Sequence, residues 1–88
     1  MDETRVLVSR FRCDSEESAR RLVNAVRVAG LDARLWPPRG PGEGWRVTVP
    51  AELVPTAANL EALRDEMEAA ARRAGAVYEV CEPLPEVP

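Results

Sequence analysis

The sequence predicts an α+β fold of the ferredoxin-like kind, a βαββαβ chain whose four-stranded antiparallel sheet carries two helices on one face. Apolar residues recur at helical spacing in two separate stretches, 19–29 and 60–74. Short runs with strand character flank each stretch. The two halves also echo one another: RVLV and WRVTV open them, and RVAGLDARL and RRAGAVYEV carry each helix into a strand.

TRVLVSRF, residues 4–11, is a β-branched and apolar run that stops at a polar cluster, as a strand does. Asp14 or Ser15 then offers an oxygen to cap the free N–H groups of a helix, with Glu16 and Glu17 favouring its positive end. Ala19, Leu22, Val23, Val26 and Ala29 form the apolar stripe of that helix, and Gly30 stops it. LDARLW, residues 31–36, and WRVTVP, residues 45–50, read as the strands of a hairpin. Their connector sets three prolines and three glycines between Trp36 and Trp45, so neither strand continues through it. Pro38 and Pro41 have the spacing of a PxxP ligand, but the glycines favour an irregular connector over a polyproline helix. Trp45 is expected in the core and Trp36 at the surface. Thr56 caps a second helix whose stripe is Leu60, Leu63, Met67, Ala70, Ala71 and Ala74, ending at Gly75. AVYEVCE, residues 76–82, closes the fold as a strand.

Right-handed crossovers put the first and third strands in the centre of the sheet, where they are expected to run parallel, with the second and fourth at its edges. Taking Val6, Val8, Val47 and Val49 as helix-facing leaves Leu7, Phe11, Arg46 and Thr48 on the open side, joined by Arg34 and Trp36. Such a face suits a protein partner or a second copy of the chain.

With 88 residues, 45% apolar and 31% charged, the chain is expected to form one domain over residues 1–82, followed by an extended, mobile, proline-rich tail at 83–88. No apolar run approaches the length of a membrane span or a signal-peptide core, so membrane attachment is not expected and the cytoplasm is. All 12 basic residues are Arg, which reads as codon bias, and the net charge of −3 lacks the footprint of a phosphate binder. The central strands also lack the aromatic alternation that stacks bases, so direct nucleic-acid binding is disfavoured.

There is no His, and Cys13 and Cys81 lack metal-type spacing, so neither a metal nor another cofactor is expected. The topology puts the two thiols well over about 15 Å apart, hence free. Arg12 and a helix N-terminus beside Cys13 would lower its pKa while Asp14 opposes them, and a plain cysteine is the favoured reading. No catalytic constellation emerges, and an enzyme is not expected.

The run from Gly44 to Glu82 resembles the regulator of ribonuclease activity B (RraB) family, bacterial inhibitors of RNase E. The resemblance rests on Trp45 opening a strand, on the step Leu53-Val54-Pro55-Thr56 before the second helix, on Asn59 and Leu60, and on the segment Gly75 to Cys81. Tyr78 is kept, whereas Glu79, Val80 and Cys81 stand where that family ends in Asp-Gly-Trp. The resemblance implies a non-enzymatic protein-binding regulator of RNA decay that contacts RNase E or another ribonuclease. In that reading Glu79 and Glu82 meet an Arg-rich segment of the partner, and Tyr78 is either an anchor or a core residue. Trp36, Arg34 and Arg46 complete the candidate protein-binding set. The alternatives are a self-associating, dimeric regulatory domain and a small-ligand sensor with a pocket between sheet and helices.

Overall fold

The computed structural model describes residues 3–83, so most of the expected tail, residues 84–88, lies outside the described residues. The elements follow as β1 (Arg5–Cys13), α1 (Glu16–Val28), β2 (Arg34–Trp36), β3 (Trp45–Leu53), α2 (Ala57–Ala74) and β4 (Val77–Pro83). They build one four-stranded sheet in the order β2-β3-β1-β4, the ferredoxin-like arrangement. Pro83 belongs to β4, opposite Leu7, and is not the first residue of a tail.

Every neighbouring pair in the sheet is antiparallel, which corrects the expectation that the two central strands run parallel. The reason is the hairpin. The crossover through α1 returns the chain so that β2 runs with β1, and the turn into β3 then reverses it.

Ser15 is the α1 cap: its hydroxyl accepts from the Ser18 N–H at 3.1 Å. The Thr56 hydroxyl does the same for Asn59 N–H at 3.2 Å, and the Asn59 side-chain amide donates to the Val54 carbonyl at 2.8 Å. At the far end of α2 the backbone turns left-handed at Gly75, φ 71°, a conformation that a side chain resists. Ser18 then ties the two helices together by donating its hydroxyl to the Ala74 carbonyl at 2.6 Å.

The core lies between the helices and one face of the sheet. Leu22, Val23 and Val26 of α1 and Leu63, Met67 and Ala71 of α2 close over Leu7, Phe11, Val47 and Val49. Trp45 packs half-buried against this cluster. The face assignment of β1 is therefore the reverse of the expected one: Leu7 and Phe11 point inward, and Val6 and Val8 lie on the open side. The register explains it. Leu7, Ser9 and Phe11 stand opposite Ala51, Val49 and Val47, and residues opposed in register share a face. Among the described residues Ser9 is the one polar residue fully buried there.

Candidate functional site

The side of the sheet away from the helices carries a groove of about 470 Å³ that crosses all four strands. Its floor is Val6, Val8 and Arg10 of β1 with Arg46, Thr48 and Pro50 of β3. Arg34 and Trp36 of β2 form one wall, and Glu82 and Pro83 of β4 the other. Pro37, Arg39 and Glu43 of the β2–β3 connector complete the rim.

Alternation along β1, β2 and β3 brings the floor and the Arg34–Trp36 wall to one surface, and register sets which of them are neighbours. Thr48 stands between Arg34 on β2 and Arg10 on β1; Arg46 stands between Trp36 and Arg12. The Trp36 indole N–H donates to the Thr48 hydroxyl at 3.0 Å, so the ring reaches diagonally across the edge of the sheet and is held there, 44% exposed.

The connector is shaped to hold the rim. At Gly44 a Cβ would lie 2.7 Å from the Cys13 carbonyl oxygen, so only glycine lets the chain pass this close to the end of β1. A turn follows from Glu43 N–H donating to the Gly40 carbonyl at 3.2 Å, while the Glu43 carboxylate accepts from Arg39 N–H at 3.3 Å. The stretch between the tryptophans is thus an irregular, folded connector that also presents Arg39 and Glu43 to the groove.

The charge of the groove is opposite to that of the chain. Its lining contains Arg10, Arg34, Arg39 and Arg46 against Glu43 and Glu82. Arg10 is satisfied by Glu82, Nε to Oε1 at 2.6 Å. Arg34, Arg39 and Arg46 have no ion-pair partner among the described residues. Arg46 also stands directly opposite Arg12 of β1, and like charges in cross-strand register repel.

Of the residues expected to bind a partner, Arg34, Trp36, Arg46 and Glu82 come together in this groove. Tyr78 and Glu79 do not. The Tyr78 ring packs on Phe11 at 5.3 Å between centroids, on the helix side of the sheet, where burial pushes its phenol above the usual range. Glu79 is the extra residue of a bulge, because Arg10 pairs with Val80 and Phe11 with Tyr78. Sequence reasoning missed Val6, Val8, Arg10 and the rim pair Arg39 and Glu43. The alternation Arg10, Phe11, Arg12, Cys13 was the signal that could have found the first three.

The thiols lie elsewhere. Cys13 ends β1 with its side chain in the core, so Arg12, pointing to the opposite face, does not activate it. Burial pushes the Cys13 thiol up and Asp14 adds to this, with the Ser18 hydroxyl partly offsetting both, so the lowering that Arg12 and the helix end would give does not prevail. Cys81 stands opposite Ser9, four residues along β1 from Cys13, which is roughly 13 Å along the strand. The separation is shorter than expected but still far outside disulfide reach, and both cysteines are free. The Ser9 hydroxyl makes no hydrogen bond of good geometry, although it lies near enough to the Tyr78 phenol to favour that group's charged form.

No family model matches the sequence, and no curated protein does. Among solved structures the chain is similar to one described as an unknown protein from Galdieria sulphuraria, with 13% identity and a TM-score of 0.53. The match covers 94% of this chain and 51% of the other, so this chain spans about half the length of that neighbour. At such identity the likeness shows the fold alone.

Proposed function

We propose that this chain is a non-enzymatic regulatory module that works in the cytoplasm by binding a protein partner across the open face of its sheet. The observation that carries this reading is the groove itself: a concave surface on the sheet, presenting a hydrogen-bonded indole and three guanidinium groups with no ion-pair partner among the described residues. Trp and Arg are the residue types that dominate binding energy at interfaces. The resemblance to the RraB family makes RNase E the first partner to test.

The charge of the groove bears on the alternatives. A face-to-face dimer would bring together two groove faces of the same net positive charge, and it could not bury Leu7 and Phe11, which the helices already cover. A small-ligand sensor would take its ligand in this groove, on the opposite side of the sheet from the expected pocket.

A photo-crosslinking residue placed at position 36, and in a parallel strain at the exposed position 27 of α1, tests the proposal in living cells. Covalent protein adducts from position 36 alone, with RNase E or another nuclease identified among them, are expected. Adducts from neither position, or only from position 27, would refute it.

A further inference from the structure

We propose that the occupant of the groove is an acidic, extended protein segment, its carboxylates held by Arg34, Arg39 and Arg46 and an apolar side chain seated on Trp36, Val8 and Pro50. This rests on the binding reading above and names its partner's chemistry. The resemblance alone implied the inverse, carboxylates of this chain meeting arginines of a partner.

Charge complementarity selects the occupant. The chain carries a net charge of −3, yet the groove lining holds four arginines and two glutamates. One glutamate is spent on Arg10, and the other accepts a backbone N–H in its own loop. Arg34, Arg39 and Arg46 are exposed and have no ion-pair partner among the described residues, and a guanidinium fork matches a carboxylate bidentately. Arg46 makes the point most sharply. It faces Arg12 on one side and has no carboxylate on the other, an arrangement that costs the free fold stability and is relieved when an anion bridges the two.

The remaining lining separates an acidic peptide from other anions. Val6, Val8, Trp36, Pro37, Pro50 and Pro83 supply apolar surface that suits side chains and gives a free phosphate nothing. A single-stranded nucleic acid would find no ring on either central strand, whose share of the groove lining is Val6, Val8, Arg10, Arg46, Thr48 and Pro50. It would also meet the Glu43 carboxylate at the rim.

The test is a titration of the whole chain with a synthetic peptide alternating Glu and Leu, read by the fluorescence of Trp36 in a Trp45→Phe background. A Lys and Leu peptide and a single-stranded RNA of equal charge serve as competitors. The acidic peptide is expected to bind in a salt-sensitive manner, and Arg46→Glu to weaken it by at least about tenfold while strengthening the Lys peptide. Because the substitution removes the repulsion with Arg12, the variant should melt no lower than the parent, so loss of binding is not loss of fold. Arg34→Glu on the edge strand repeats the measurement at a second position. No binding of the acidic peptide, binding indifferent to both substitutions, or tighter binding of the RNA would each overturn the proposal. Protein adducts from position 36 together with a silent acidic peptide would leave the binding module standing and remove only this occupant.

Discussion

The two faces of the sheet are made by the same strands, often by adjacent residues, and they have opposite physical roles. Phe11 is fully buried and Arg10 and Arg12 on either side of it are exposed; Val47 is fully buried and Arg46 and Thr48 flank it on the open side. The helix-covered face holds a buried apolar cluster, with Ser9 within it and half-buried residues such as Trp45 and Tyr78 at its margin. The open face alternates guanidinium groups with Val, Pro and one indole, and is left to solvent. In a chain this short nearly all the burial that stabilises the fold comes from one side, which frees the other to carry charge the fold does not use.

The largest expected effect comes from truncating the covered face. Phe11→Ala removes a fully buried ring and its tilted contact with Tyr78, a loss of about 3–5 kcal/mol from a domain of typically about 5–15 kcal/mol. Val8→Ala, three residues earlier and on the open side, should cost below about 1 kcal/mol. Denaturant unfolding of the two variants side by side measures the contrast, and equal losses would mean the faces are not distinct. Next in size is Gly44→Ala. Its Cβ would lie 2.7 Å from the Cys13 carbonyl oxygen, so the connector must shift, at about 1–3 kcal/mol, and the rim residues Arg39 and Glu43 move with it. Gly40→Ala in the same loop meets nothing within 4 Å and should be near neutral.

How much of this was legible in the sequence follows from how each feature is encoded. The helices were, because capping oxygens at Ser15 and Thr56 and the glycine at position 75 act within a few residues of the ends they set. Strand order was too, since crossover handedness leaves few layouts. The facing of β1 was not. RVLVSRFRC holds apolar residues on both parities in its first half, and a polar serine sits where the core continues, so β-branching at Val6 and Val8 pointed the wrong way. Only the pairing with β3 decides, and register is a property of two strands, not one. For the site, Arg34, Trp36 and Arg46 were found because β2 and β3 alternate cleanly, whereas Arg10 was lost with the facing of β1. Arg39 and Glu43 reach the rim through a glycine-dependent loop fold that no periodicity announces.

A smaller effect separates the faces by pH. Cys13 and Tyr78 both lie on the covered side, and both have pKa values raised above their ordinary 9.0 and 10.0 by burial. A group whose folded pKa is raised favours the folded state fully below its unfolded pKa, and that contribution is lost as pH rises through the folded value. Stability should therefore decline from about pH 9 upward. Cys13→Ala should flatten the first part of that decline, which urea melts across the alkaline range would show. In native protein iodoacetamide should alkylate the half-buried Cys81 well before Cys13.

The smallest expected change in stability is at the ion pair of the open face. Arg10 and Glu82 lie close, at 2.6 Å, but their side chains are 47% and 46% exposed, and pairs so open to water contribute below about 1 kcal/mol. Glu82→Gln should therefore leave the melting temperature almost unchanged. It also removes a carboxylate from the groove and frees the Arg10 guanidinium, so affinity for an acidic peptide should rise. A substitution that is silent in a melt and visible in a titration would mark this side of the sheet as shaped for binding. If Glu82→Gln instead unfolded the chain as Phe11→Ala does, the open face would belong to the architecture, and its arginines would have to be explained as structural.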